Sequence, residues 1–416
     1  MAGYKKDLQF YKFCFYGFFK NLRFFDPFLI LFFISKGLNY TEIGILYAIR
    51  EIFINIFEIP SGLITDSFGR KRSMLLSFSF YIFSFLMFYF SNRFLPLAFS
   101  MILYAFGDAF RTGTHKAMIY EYLRIKGWEE YKVDYYGNTR ACSQLGSALS
   151  SLIAGVIVFF TDSLKNVFLF SVIPYIIDFI LILTYPSYLD KDIVKPKESI
   201  KERFNNVIKT LIISLKNPKA VKILINSTLY SAYYKALKDY IQIIIKTFAL
   251  SFPFYALVFN RSLSEKEKIA IFSSLIYFVL YLLTSYASKN SKRLLKRLKS
   301  MHMVLNLTLI IGLILGIAVG LTYRFNMLVI SLILFIMIYI IENYRRPVAV
   351  AYLNNVFSNN VFASAISIES QVKTILTSIF GVILGILSDK IGVWEAIIGL
   401  SILLIILFPF VSLKED

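Results

Sequence analysis

The chain has 416 residues, 57% of them hydrophobic and 17% charged, with a mean hydropathy of +0.64. Soluble domains average roughly 45–50% apolar and about 25% charged residues, so this composition excludes an ordinary soluble domain and reads as an integral membrane protein. A formal net charge of +19 would suit a nucleic-acid binder, but no basic soluble domain is present to carry it; positive loops on one membrane face account for it instead.

A bilayer-spanning helix needs roughly 20 mostly apolar residues. Twelve such stretches are expected, at 8–35, 41–65, 73–91, 95–122, 138–160, 164–186, 219–247, 267–288, 300–323, 326–352, 362–387 and 392–411. The longest are expected to tilt or to project from the bilayer. Thr41 followed by Glu42 reads as the start of the second span, with an N-cap oxygen and a first-turn acid. Cys14 and Cys142 both fall inside spans, so no structural disulfide is expected. The first span is too long for a cleaved signal peptide and lacks a small-residue cleavage site.

Lysine and arginine set the orientation. The loop after span 2 carries Arg70, Lys71 and Arg72, and that after span 8 carries Lys289, Lys292, Arg293, Lys296, Arg297 and Lys299. The loops on the other face hold mostly single cations, with Arg261, Lys266 and Lys268 a milder exception. Both termini are therefore expected in the cytoplasm and the protein in the cell membrane. The organisation expected is 1–187 as a first six-helix bundle, 188–218 as a cytoplasmic linker and 219–416 as a second bundle. Within the linker, Ile200, Phe204, Val207, Ile208, Leu211 and Leu215 recur at helical spacing. They fit an amphipathic helix on the membrane surface or an extension of span 7.

The halves repeat each other. "FFKNLR" from Phe18 aligns with "YYKALK" from Tyr233, so that Lys20 meets Lys235 and span 1 meets span 7. "DAFR" ending at Arg111 aligns with "ENYR" ending at Arg345, and "SQLGSALSSL" from Ser143 with "SQVKTILTSI" from Ser370. Three matches in the same order, each six spans apart, indicate a duplicated, all-α, twelve-helix membrane fold. Two parallel halves form a transporter architecture with its site near the midplane.

A charge at the centre of a membrane helix costs roughly 2.5–3.5 kcal/mol on insertion scales and seldom faces lipid. Spans 1, 4, 7 and 10 carry Lys20, Arg23 and Asp26; Asp108, Arg111 and His115; Lys235, Lys238 and Asp239; and Glu342 and Arg345. These are the candidate cavity residues. Asp108 with Arg111, and Glu342 with Arg345, are spaced to pair at i,i+3. The six permanent cations outnumber the four acids, which points to an anionic or zwitterionic substrate held between Lys20/Arg23 and Lys235/Lys238; the competing reading is that protons or water relieve the excess and the substrate is a hydrophobic cation. Phe18, Phe19, Tyr233, Tyr234 and Tyr344 are placed to accept an apolar body or to stack on arginine. The candidate proton sites are Asp26, Glu51, Glu58 and Asp108. Span 5 carries Gly146, Ser147, Ala148, Ser150, Ser151, Ala154 and Gly155, a face suited to close helix packing.

The loop after span 2 reads "GLITDSFGRKR". Its Gly62, Asp66, Gly69, Arg70 and Lys71 match G-x-x-x-D-x-x-G-R-[K/R], and the chain resembles the major facilitator superfamily over essentially its whole length. "NLRFFDPFLILFFISKGLNYTEIG" followed by "FEIPSG" is similar to its bacterial and archaeal drug-efflux-like branch. The resemblance implies a latch that holds the outward-facing state, with Arg70 reaching an acid at the inner end of helix 4, here Glu121. Physically, the glycines permit close approach and a tight turn, and Asp66 is suited to a helix N-terminus. The second half departs from the pattern: Ser285, Lys289 and Lys292 stand where the first has Gly62, Asp66 and Gly69. "GILSDKIG", Gly385 to Gly392, copies the spacing on the other face and reads as a helix end and turn.

The expected function is a secondary active transporter of a small organic solute, coupled to protons and monomeric in the bilayer. Efflux by antiport and uptake of an organic anion or nutrient both remain open. A non-transporting sensor on the same fold is the alternative from another class. An enzyme is not expected. No metal-ligand spacing, nucleophile elbow or phosphate loop is present, and the only histidines, His115 and His302, lie in different halves. No cofactor, metal or nucleic acid is implied.

Overall fold

Three of the expected spans are interrupted, and the interruptions fall beside the repeated charges. In the computed structural model, which describes residues 6–190, 218–252, 262–291, 300–356 and 359–413, span 1 forms α1 (Leu8–Lys20), a 3₁₀ turn (Asp26–Phe28) and α2 (Leu29–Ser35). Span 2 is α3 (Tyr40–Phe68) and span 3 is α4 (Arg70–Phe90). Span 4 splits into α5 (Phe94–Arg111) and α6 (Thr114–Ile125), followed by α7 (Lys132–Thr161) and α8 (Asn166–Leu183). Span 7 splits into α9 (Pro218–Leu237), a 3₁₀ turn (Lys238–Tyr240) and α10 (Ile241–Ser251). Spans 8 to 12 are α11 (Glu265–Lys289), α12 (Met301–Arg324), α13 (Leu328–Val356), α14 (Asn359–Ile391) and α15 (Val393–Val411). The amphipathic pattern at 200–215, Lys292 and the basic run that follows it lie outside the described residues.

The breaks have physical causes. Pro27 has no N–H and restarts the helix from its first turn. Gly113, at φ +84°, turns the chain between α5 and α6. Two residues after the matching arginine, Arg345, the second half has Pro347 inside α13. The break after Leu237 has neither proline nor glycine to announce it. A helix broken within a bilayer must re-satisfy its backbone groups. The Tyr175 hydroxyl donates to the Lys20 carbonyl at 3.0 Å, and the Tyr339 hydroxyl donates to the Lys238 carbonyl at 2.7 Å.

Among the described residues, nine helices are long and apolar enough to cross a membrane. The others expected to cross are the two broken spans, 1 and 7, and α3, which carries Glu42, Arg50, Glu51, Glu58 and Asp66. Large apolar side chains such as Phe90, Leu95 and Phe160 lie bare on the surface, as lipid-facing residues do.

Contacts divide the chain into two units. Unit 1 holds Met1–Phe32, Phe53–Arg203 and Ser264–Tyr281, and unit 2 holds Phe33–Ile52, Phe204–Leu263 and Leu282–Asp416. They depart from the contiguous halves 1–187 and 219–416 at α3 and α11, which are each divided. The reason is how these two helices begin. In unit 2, Asn39, not Thr41, is the N-cap of α3: its side chain accepts from the Glu42 N–H at 2.8 Å, and Glu42 accepts from the Asn39 N–H at 3.0 Å. The next orphan donors, the N–H groups of Tyr40 and Thr41, donate to the Asp389 carboxylate of α14 at 2.9 and 2.7 Å. In unit 1, α11 begins with the same reciprocal box, Ser264 with Glu267. The Ser264 hydroxyl donates to Asp162 at the end of α7, and Lys266 Nζ donates to the Asp162 carbonyl at 2.9 Å. Asp162 and Asp389 are 227 positions apart, as are Ser143 and Ser370. The repeat is thus kept in capping chemistry as well as in sequence, and "GILSDKIG" is more than a turn: its aspartate holds the start of α3.

Close backbone contact accompanies the second clasp. A methyl group on Gly44 would sit 2.4 Å from the Gly381 carbonyl oxygen, and one on Gly385 would sit 2.4 Å from the Tyr40 carbonyl oxygen. Gly44→Val should therefore lower the melting temperature of the purified protein, since overpacking costs about 1–3 kcal/mol. Gly399→Ala, where a methyl group meets open space, should leave it unchanged; equal melting of the two variants would refute the close packing. The small-residue face of span 5 is used within unit 1, with Gly146 against the Phe18 carbonyl and Gly155 against Ser274.

Candidate functional site

Lys20, Arg111 and Lys235 each occupy the last turn of a helix segment, α1, α5 and α9. A helix C-terminus carries about half a negative charge, which favours a cation there. The broken spans thereby create favourable positions for cations inside the membrane. This answers why such apolar stretches carry lysine and arginine at all.

What each cation meets differs. Arg23 pairs with Asp26 at 3.0 Å and donates to the Tyr104 hydroxyl at 3.2 Å. Arg111 pairs with Asp108 at 3.0 Å and donates through Nε to the Tyr81 hydroxyl at 2.9 Å; that hydroxyl donates to Asp108 at 2.5 Å. In unit 2, Lys235 pairs at 2.5 Å with Glu51, which is fully buried and is also held by Arg50 at 3.0 Å. Lys238 pairs with Asp239 at 2.6 Å. Lys20 is the exception: its ammonium has no hydrogen bond or ion pair among the described residues.

Lys20 instead lines a cavity of about 190 Å³ inside unit 1. Its wall consists of Phe13, Tyr16, Gly17 and Lys20 from α1; Arg111 and Gly113 at the α5–α6 break; His115, Lys116 and Ile119 from α6; and Tyr136, Thr139, Arg140 and Ser143 from α7. Among the described residues, four cations line this space, of which Arg111 is paired with Asp108, and no carboxylate does. Lys116 lies over the Tyr120 and Tyr136 rings, 5.4 Å from each centroid. His115 stacks on Tyr16 with ring centroids 3.6 Å apart and shares a 3.2 Å hydrogen bond with the Tyr185 hydroxyl. The start of α6 also borders the cavity, through Gly113, His115 and Lys116.

Of the residues expected in the cavity, only Lys20, Arg111 and His115 line it. Lys116, Tyr136, Thr139, Arg140 and Ser143 were missed; Lys116 lies four residues before Tyr120 and one after His115, and Arg140 opens span 5. Glu342 and Arg345 do not pair with each other. Glu342 accepts from the Ser231 hydroxyl at 2.6 Å. Arg345 is fully buried in unit 2, where it donates to the Leu305 carbonyl, to Thr308 Oγ1 at 2.9 Å, and to the Asn226 carbonyl and Oδ1 at 2.5 and 2.7 Å. It braces α13 against α12 and α9. The neighbouring Arg346 makes a two-point pair with the buried Glu369 of α14, an ion pair the sequence reading overlooked.

The motif after α3 is built around Gly69, at φ +93°. Arg70 Nη1 lies 3.8 Å from Glu121, in reach but loose, and Glu121 is held at 2.5 Å by Arg124. The first peptide groups of α4 find an acid that the motif does not contain: Asp190 accepts from the Lys71 N–H at 2.6 Å. Gly62 and Asp66 lie in α3, and the Asp66 side chain is outside the described residues. Lys71 Nζ donates to the Leu183 and Tyr185 carbonyls at 2.7 and 2.9 Å.

Comparison with known proteins gives concordant results. The model of the family described as Major Facilitator Superfamily matches residues 13–370. A Bacillus subtilis (strain 168) protein described as the uncharacterized MFS-type transporter YxaM is 25% identical over 405 residues, covering 94% of this chain and 92% of that protein. Among solved structures, a point mutant of the nucleoside transporter NupG superposes with a TM-score of 0.79 at 15% identity, over 97% of this chain and 99% of the other. A POT family transporter in complex with a thioalcohol-conjugated peptide gives 0.69 at 12% identity, over 97% of each chain. These structural likenesses concern the fold. With the twelve expected spans and the family match both in place, the chain belongs to the Major Facilitator Superfamily and is a multi-pass membrane transporter.

Proposed function

We propose that this transporter moves a small organic anion or zwitterion by proton-coupled alternating access, with the anionic head between Lys20 and Arg111. The observation that carries this reading is the cavity wall: four cations, the start of a helix and no carboxylate, with Tyr16, Phe13 and Tyr136 to accept an apolar body. Lys20 has no ion pair among the described residues; an unpaired charge away from bulk water is unfavourable, and an anion would relieve it. This moves the site from the expected position between Lys20/Arg23 and Lys235/Lys238, since Lys235 and Lys238 have carboxylate partners and line no part of this wall, whereas Arg111, though paired with Asp108, does line it beside Lys20. Efflux of a hydrophobic cation fits this wall poorly.

The same reading keeps 1–187 and 219–416 as the duplicated halves, both termini in the cytoplasm of a monomer in the cell membrane, and the cluster of Gly62, Asp66, Gly69, Arg70, Lys71 and Glu121 as a latch of the outward-facing state. The direct test uses the purified protein in proteoliposomes, with and without a pH gradient. Benzoate, naphthalene-2-sulfonate, uridine, dialanine and ethidium serve as probes. Accumulation of the two anions, responding to the gradient, is expected. Transport of ethidium alone would overturn the anion site.

A further inference from the structure

The cavity of unit 1 has a second cationic end. Lys116 and Arg140 also line it, and neither has an ion pair among the described residues. Lys116 lies over the Tyr136 ring of α7, 5.4 Å from its centroid, and Arg140 stands one turn further along the same face of α7. The packing of α1 on α7 fixes how far this end is from Lys20. The Phe10 and Tyr135 rings meet with centroids 5.0 Å apart. A methyl group on Gly17 would sit 2.5 Å from the Ser143 hydroxyl, and one on Gly146 would sit 2.4 Å from the Phe18 carbonyl oxygen. The two helices therefore run in the same direction, with Arg140 level with residues 12–15 of α1. At a rise of about 1.5 Å per residue, Arg140 and Lys20 are separated by roughly 8–12 Å along the axis. The ends also differ in burial: Lys116 and Arg140 are exposed, whereas Lys20 is half-buried. Tyr16 lies between the two levels; it is buried, and its hydroxyl has no hydrogen-bond partner among the described residues.

We propose that the substrate is an organic dianion with its two anionic groups at opposite ends of an apolar body, one at Lys20 and Arg111 and the other at Lys116 and Arg140. The inference rests on the anion-site reading above and names the substrate class for that site. Among the described residues, Lys20, Lys116 and Arg140 are three wall cations without a carboxylate partner. A monoanion at Lys20 leaves the other two without a counter-ion. A dianion with both charges on one head reaches only one end. Phe13 and Tyr16 line the stretch between the ends and meet the apolar body, and the Tyr16 hydroxyl has a proton to donate to an anionic oxygen. Lys116 and Arg140 are in contact with water, so leaving them unpaired costs little, and pairing them gains correspondingly little. They are specificity-determining residues: they select a two-headed anion over a one-headed one, while Lys20 supplies most of the affinity. The Tyr120 and Tyr136 rings hold the Lys116 ammonium at its end of the cavity.

The test is calorimetric binding of three probes to the purified full-length protein at low salt: naphthalene-2-sulfonate, naphthalene-2,6-disulfonate and 2-naphthyl phosphate. The disulfonate should bind roughly tenfold more tightly than the monosulfonate. That gain should shrink as salt is added, because the second end is exposed and screened. The phosphate, with nearly two charges on one head, should gain less than about threefold. Arg140→Gln should remove most of the disulfonate's advantage, and Arg140→Lys should restore it. Lys116→Gln is a second, independent variant with the same expected loss. The comparison of probes on the wild type needs no variant, so a misfolded one still leaves a decisive result. If the monosulfonate binds and the disulfonate binds no more tightly, or the phosphate gains as much as the disulfonate, the two-headed substrate is overturned and the anion site stands. The same follows if both glutamine variants keep the disulfonate's advantage. If none of the probes binds, the anion site falls and the substrate class falls with it.

Discussion

Lys20→Gln should weaken binding of an organic anion by roughly ten- to a hundredfold, the largest functional effect of any single substitution in the cavity. A hydrogen bond to a charged partner contributes about 1.5–3 kcal/mol, and each 1.4 kcal/mol is a factor of about ten in affinity. Lys20 stands at the upper end of that range because its ammonium has no hydrogen bond or ion pair among the described residues. Lys20→Arg should keep most of the affinity. Lys238→Gln should change it by less than about threefold, because Lys238 is already neutralised by Asp239. Equilibrium binding of naphthalene-2-sulfonate to the purified variants separates these outcomes. Equal losses in Lys20→Gln and Lys238→Gln would return the site to the position first expected from the repeat.

Arg345→Met should have the largest structural effect, a loss of about 3–5 kcal/mol, as when a buried charged network is broken on one side. The guanidinium is fully buried and donates to two backbone carbonyls, an amide oxygen and a hydroxyl on two other helices. It also lies over the Tyr230 ring, 5.7 Å from its centroid. Methionine fills much of the volume but leaves those acceptors without donors. Lysine would supply one compact ammonium where a planar fork reaches α9 and α12 together, so Arg345→Lys should rescue little. The measurement is the monodisperse yield and melting temperature in detergent. A variant that melts like the wild type but fails to bind anions would place Arg345 in the substrate path instead.

Much of this was legible in the chain itself, and the reasons are local. A span is a run of apolar residues long enough to cross a bilayer, and the repeat survived because Lys20 and Lys235, or Arg111 and Arg345, sit in matching local words. Pro27 and Gly113 also announce their breaks. Asp178 carried a signal too: the lone acid in the apolar run of α8 is fully buried, with no hydrogen-bond partner among the described residues. It was passed over because it lies outside the four helices that the repeat singled out.

The sequence by itself determined the membrane class, the twelve spans, the duplication and the family, since each is a pattern in residues close together in the chain. Only the tertiary structure decided which of the repeated cations is a ligand-facing charge and which is a brace. Arg111 and Arg345 occupy equivalent positions, yet one lines a cavity and the other is buried against the carbonyls of α9 and α12. Likewise Lys235 meets Glu51, 184 positions away. The partner of a buried charge comes from whichever distant helix packs beside it, and local spacing does not encode that neighbour.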